Sequence, residues 1–85
     1  MAYQLTLRPA AVRDLRRLPQ AVRARIERAI EALREQPRPP GCKKLTGFEN
    51  EWRVRVGDYR ILYIIHDTRR EVRVASIVHR REAYR

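Results

Sequence analysis

Arg53, Arg55, Arg60, His79, Arg80 and Tyr84 are the side chains in this sequence whose types and spacing could do chemistry together. The first three lie in Glu51–Asp67, which reads EWRVRVGDYRILYIIHD. Its Gly57-Asp58 pair favours a two-residue hairpin turn between two strands. With that turn, Val56 faces Tyr59, Arg55 faces Arg60, Val54 faces Ile61 and Trp52 faces Tyr63. Side chains alternate across a sheet. One face then holds Trp52, Val54, Val56, Tyr59, Ile61, Tyr63 and Ile65 as a core, and the other gathers Arg53, Arg55 and Arg60 with Leu62, Ile64 and His66. Two arginines directly opposite each other destabilise the strand pair by about 0.2–1 kcal/mol. That cost is consistent with an anion resting on the face. Arginine forks grip phosphate oxygens in bidentate fashion, and a tyrosine such as Tyr84 can stack on a base. Single-stranded RNA fits such a surface, because its bases are free to stack and its 2′-hydroxyl can react. The plainer alternative is a solvated strand face, with Tyr84 packed on the core.

Other elements must position this face. Tyr3–Arg8 alternates apolar and polar and reads as a first strand. Pro9 ends it and suits the first position of a helix. Val12, Leu15 and Leu18 predict a short helix from about Pro9 to Leu18, broken by Pro19. Val22, Ile26, Ala29, Ile30 and Leu33 predict a second helix, and Gln36–Gly41 closes it. Cys42–Asn50 reads as a loop, with Leu45 and Phe48 as anchors into the core. After the hairpin, Asp67–Arg70 forms a turn and Glu71–Val78 a last strand. The expected register sets Ile65 opposite Val72, Tyr63 opposite Val74 and Arg60 opposite Ile77. Val72, Val74 and Val78 would then join the core, while Ala75, Ile77 and His79 join the arginine face. The order β-α-α-β-β-β predicts a single α+β domain over residues 1–85. It would be a two-layer sandwich, with a helix hairpin on one face of a mainly antiparallel four-stranded sheet.

Charge and cysteine usage bound the function. Twenty Lys+Arg against ten Asp+Glu give a net charge of +10. Only Lys43 and Lys44 are lysines, so arginine supplies nearly all of it. Such an excess favours a polyanionic ligand, an acidic protein partner, or both. Cys42 is the one cysteine, so no intrachain disulfide forms. Ile61–Ile65 is too short a run to span a membrane. The start, MAYQLTLRPAAV, does not read as a signal peptide, and a cytoplasmic location is expected. There is no HExxH, CxxC or Gly-rich phosphate loop. Cys42, His66 and His79 are too scattered to suggest zinc.

The motifs Leu15–Pro19 (LRRLP), Leu45–Gly47 (LTG), Trp52–Tyr63 (WRVRVGDYRILY) and His79–Arg85 (HRREAYR) are similar to those of the RelE-type toxins of bacterial and archaeal toxin–antitoxin systems. The resemblance spans nearly the whole chain, and its most specific parts are the hairpin and the HRREAY ending. It implies a ribosome-dependent endoribonuclease that cuts messenger RNA in the A site and so inhibits translation. It implies no metal or other cofactor. The 2′-hydroxyl attacks the adjacent phosphate, leaving a 2′,3′-cyclic phosphate and a free 5′-hydroxyl. The family's basic pair matches Arg53 and Arg55, its arginine after the turn Arg60, its arginine after the last strand Arg80, and its terminal tyrosine Tyr84. Lys43, Lys44 and Arg81 are placed to meet RNA. An acidic antitoxin, the ribosome with its messenger, and operator DNA reached mainly through the antitoxin are the implied partners. Arg55 stands where the best-known active sites have a lysine base. Arginine surrenders its proton poorly, so the acid–base role is expected at His79, kept neutral by neighbouring cations, or at Tyr84. The alternatives are a ParE-like inhibitor of DNA gyrase and a catalytically weak toxin acting as a binding module.

Overall fold

The computed structural model describes residues 2–45, 47 and 50–81. Seven elements follow one another: β1 (Gln4–Leu7), α1 (Pro9–Arg16), α2 (Gln20–Ala32), β2 (Lys43–Lys44), β3 (Glu51–Val56), β4 (Tyr59–His66) and β5 (Glu71–His79). The strands form one sheet in the order β1-β5-β4-β3-β2. β1 runs parallel to β5, and the other pairs are antiparallel. The α+β class and the helix layer on one sheet face agree with the sequence reading. The sheet, however, is mixed and has five strands rather than four. The added strand is Lys43–Lys44, expected to be loop. Two residues carry no alternation to read, and only pairing with Arg53 and Trp52 makes them a strand.

Local chemistry explains the helix ends. Pro9 takes the first turn of α1, where its missing N–H costs nothing. Arg13 and Arg16 in the last turn oppose the negative end of the helix dipole. The helix stops at Arg16, two residues before the expected Leu18, because Pro19 disfavours helical geometry in the residue before it. Pro19 then caps α2, its carbonyl accepting from the Arg23 N–H at 2.9 Å.

Both helices cover the same sheet face. Ala11 and Leu15 of α1, Ile26 and Ile30 of α2, and Leu33 just beyond it bury against Ile61, Tyr63 and Ile65 of β4 and Val72, Val74 and Ile77 of β5. Trp52, Val54, Val56 and Tyr59 pack half-buried around them, as the alternation of the hairpin requires. The Tyr63 side chain is 1% exposed, and its hydroxyl donates to the Pro37 carbonyl at 2.8 Å. Burial pushes its phenol well above the ordinary pKa. Leu45 is half-buried, and its N–H donates to the Glu51 carbonyl, but it does not join the buried cluster among the described residues. Phe48, the other expected anchor, lies outside the described residues.

The β3–β4 register matches the sequence reading pair for pair, from Trp52 opposite Tyr63 to Val56 opposite Tyr59. The β4–β5 register matches only in its first half. Ile65 faces Val72 and Tyr63 faces Val74, but Leu62 then faces Ser76. Ala75 is skipped as the extra residue of a β-bulge. Past it, Ile61 faces Ile77, Arg60 faces Val78 and Tyr59 faces His79. The expected faces are therefore exchanged. Ile77 is buried in the core at 5% exposure, and Val78 stands beside Arg60. His79 falls on the helix side of the sheet, because one inserted residue inverts every side chain after it.

Candidate nucleic-acid interface

The sheet face turned away from the helices carries the cations. Arg53 and Arg55 sit at alternate positions of β3, and Arg60 of β4 stands directly opposite Arg55. β2 adds Lys43 opposite Arg53. Lys43, Arg53, Arg55 and Arg60, with Gly41, line one cavity of 170 Å³. No carboxylate is among the described residues that line it. Arg60 is only 4% exposed, the one buried charged residue among those described. A cation so placed, with three more around the same space, can receive an anion. Gly41 contributes bare backbone at φ +88°, a left-handed conformation that side chains disfavour.

The loop before β2 is fixed by a cluster that the sequence reading missed. Arg38 forms a two-pronged pair with Asp67, Nη1 to Oδ1 at 3.2 Å and Nη2 to Oδ2 at 2.8 Å. Its guanidinium also lies 4.9 Å from the centre of the Trp52 ring. The Tyr3 hydroxyl donates to Asp67 Oδ1 at 2.9 Å. These hydrogen bonds, Arg38 first and then Tyr3, hold the Asp67 carboxyl below its ordinary pKa and raise that of Arg38. With the Tyr63–Pro37 bond, they tie the segment that leads into Lys43 to β3, to β4 and the turn after it, and to Tyr3 just before β1. The signal in the sequence was slight: an arginine between prolines, and an aspartate that reads as a turn residue.

The remaining expected site residues divide. Arg80 extends the sheet beyond β5, its N–H donating to the Asp58 carbonyl at 2.7 Å. Alternation after Val78 sets it on the side of Arg60, and its Nε lies 3.9 Å from Asp58 Oδ1 at the hairpin tip. Arg81 is exposed, and its N–H donates to His79 Nδ1 at 3.3 Å. Lys44 is exposed and opposite Trp52. His79 does not reach the cationic cavity. Its ring meets the edge of Tyr59 at 5.2 Å and 86°, and it lines a separate hollow with Asp14, Arg17, Leu18, Tyr59 and Ile77. It also shares a hollow with Asp58, Arg80 and Arg81, but the bulge at Ala75 takes it away from Arg55 and Arg60, which corrects its expected place on the arginine face. Tyr84 lies outside the described residues.

Known proteins share this fold. The family model described as the ParE toxin of type II toxin–antitoxin systems, parDE, matches residues 5–84. Toxin RelE of Mycobacterium tuberculosis is 32% identical over 84 residues, covering 98% of this chain and 87% of that protein. A chain of the RelBE2 toxin–antitoxin complex from M. tuberculosis superposes with a TM-score of 0.83 at 27% identity, covering 93% of this chain and 99% of that one. A double mutant of Escherichia coli toxin RelE in the free state gives 0.81 at 26% identity, covering 99% and 90%. A small two-helix, mixed-sheet toxin of a type II toxin–antitoxin system is thus the class that fold and sequence define. Within it, the chain belongs to the RelE/ParE family and is a RelE-type toxin.

Proposed function

We propose that this toxin is a ribosome-dependent endoribonuclease that cuts messenger RNA in the A site. The observation that carries the reading is the cavity in which Lys43, Arg53, Arg55 and Arg60 converge. In the reaction, the 2′-oxygen bonds to the adjacent phosphorus and the bond from phosphorus to the 5′-oxygen breaks. The products are a 2′,3′-cyclic phosphate and a 5′-hydroxyl. The transition state carries extra negative charge on its phosphoryl oxygens, and fixed cations stabilise it most where water is excluded. Arg60, buried at the floor, and Arg53 and Arg55 on its wall suit that role. Arg80 adds charge from the hairpin tip. Guanidinium groups are poor proton donors, whereas an ammonium can release a proton. Lys43 is therefore assigned as the donor to the departing 5′-oxygen. With His79 on the other side of the sheet, Tyr84 is the remaining candidate for taking the 2′-proton and for stacking on a base. Lys44 and Arg81 would hold neighbouring phosphates.

The partner is an acidic antitoxin, a reading supported by the likeness to a chain of the toxin–antitoxin complex RelBE2 of M. tuberculosis. It would cover apolar surface and approach the cationic face, and the pair would meet operator DNA mainly through the antitoxin. A second reading, inhibition of DNA gyrase, is favoured by the ParE description of the matching family model. A catalytically weak binding module is a third outcome, since Arg55 replaces lysine. Expressing the chain without antitoxin and mapping 5′-hydroxyl ends, with and without working ribosomes, separates the three. Ribosome-dependent, frame-linked cuts are expected. Intact messenger with double-strand DNA breaks would select gyrase, and intact messenger and DNA would select the binding module.

A further inference from the structure

β5 needs something to hold its bulge. β1 pairs with it only along Glu71–Val74, and the last bond on that edge runs from the Arg8 N–H to the Val74 carbonyl at 2.9 Å. From Pro9 the chain turns into α1, so the outer edge of β5 beyond Val74 has no strand beside it. A polar group left at that edge beneath a helix needs a partner. Asp14 of α1 provides it: its Oδ2 accepts from the Ile77 N–H at 2.9 Å, across 63 residues of chain.

The geometry points to Asp14 as a positioning residue that anchors the outer edge of β5 past the end of β1 and thereby holds Arg80 at the hairpin tip. Successive N–H groups of a strand point to opposite edges. With the bulge, Ile77 presents its N–H outward to Asp14. In the unbulged register, Ile77 would instead face Arg60 and turn its N–H toward β4, and Ser76 would occupy the core. The Ser76 N–H would then stand before Asp14, so burial of Ile77 in place of Ser76 chooses the register, and Asp14 anchors the strand in it. The unbulged register also moves Val78 and Arg80 to the helix side and His79 among the arginines. Two observations confirm which register the fold holds. Ile77 is buried with Ile61, and the His79 ring sits edge-on to Tyr59. The Arg80 N–H to Asp58 carbonyl bond then locks the strand end to the hairpin tip. Asp14 touches no cavity-lining cation and acts only through β5.

This inference rests on the reading that Arg80 serves the nuclease, and the test separates the two. Toxin released from its antitoxin complex is assayed in single turnover on ribosomes programmed with a short messenger. Arg80→Ala is expected to lose cleavage; full activity there overturns the role of Arg80, and with it the function this inference gives Asp14. Asp14→Ala is expected to lose about tenfold or more, as removal of a hydrogen bond to a charged acceptor allows. Asp14→Asn keeps an acceptor oxygen and is expected to stay within about threefold of wild type. Proton NMR supplies the second readout: the Tyr59–His79 ring contact and the slow exchange of the Ile77 amide should persist in Asp14→Asn and vanish in Asp14→Ala. If Asp14→Ala does not fold, Asp14→Ser takes its place under the same two readouts. Full activity in the alanine variant, loss of activity with the ring contact and Ile77 protection intact, or failure of both variants to fold each overturns the positioning role.

Discussion

Arg55 and Arg60 face each other across β3 and β4, on the wall and floor of a cavity that also holds Arg53 and Lys43. If the site exists to bind phosphate, the empty protein bears the repulsion and the loaded protein does not. Arg55→Gln removes one charge of the opposed pair while keeping a polar, though shorter, side chain. A directly opposed like-charge pair costs about 0.2–1 kcal/mol. For a domain of this size, 1 kcal/mol corresponds to about 4–8 °C in Tm, so the variant should melt about 1–8 °C higher in dilute chloride buffer. Phosphate should reverse the order. At ten times its Kd, a ligand stabilises the native state by RT ln 11, about 1.4 kcal/mol. That raises the wild-type Tm by about 6–11 °C and should raise the variant's much less. Thermal unfolding followed by circular dichroism, in chloride and in phosphate at matched ionic strength, reads both effects. Arg69→Gln, at the exposed β4–β5 turn, controls for the change in net charge and for the general stabilising effect of phosphate. A lower Tm for Arg55→Gln in chloride, or equal phosphate shifts in all three proteins, would refute the anion-site argument.

Three further perturbations test separate parts of the molecule. Lys43→Arg keeps the charge of the cavity but removes its best proton donor; single-turnover cleavage should fall by about 10²-fold while ribosome binding, measured by co-sedimentation, stays near wild type. Tyr63→Phe leaves the Pro37 carbonyl without its buried donor and should cost about 1–2 kcal/mol in urea denaturation. Asp67 is held below its ordinary pKa by Arg38 and Tyr3, so its contribution to stability is present above the unfolded carboxylate value of about 3.9 and is lost as pH falls through the lower folded value. The gap in Tm between wild type and Asp67→Asn should therefore be open at neutral pH and close in acid; a gap that widens in acid would contradict the Arg38 pairing.

Much of the toxin was legible along the chain because its signals are local. Gly57-Asp58 names a tight turn, and strict alternation on either side of it sets which residues face the helices. The β3–β4 register, the core side of the hairpin and the shared side of Arg53, Arg55 and Arg60 follow from those facts alone. Pro9 and Pro19 likewise mark helix ends without reference to any distant contact. The motif resemblance named the family for the same reason, since it draws on the hairpin and its flanks.

What the sequence could not decide depends on contacts between distant segments. Lys43 enters the cavity only because two residues of an otherwise irregular loop pair with β3. Arg38 and Asp67 carry no meaning until the fold brings their segments together across Trp52. Ile77 and Val78 are both apolar, so either could be the buried one, and period-two counting cannot detect a skipped residue at Ala75. The choice is made by the helix-covered core, which buries Ile77 where the unbulged register would place Ser76, and the Asp14 carboxylate on α1 then receives the Ile77 N–H where β1 has already ended. Alternation along β5 fixes the relative facing of neighbours, whereas the absolute facing of His79 and Arg80 is set by how the strand packs against another layer of the structure.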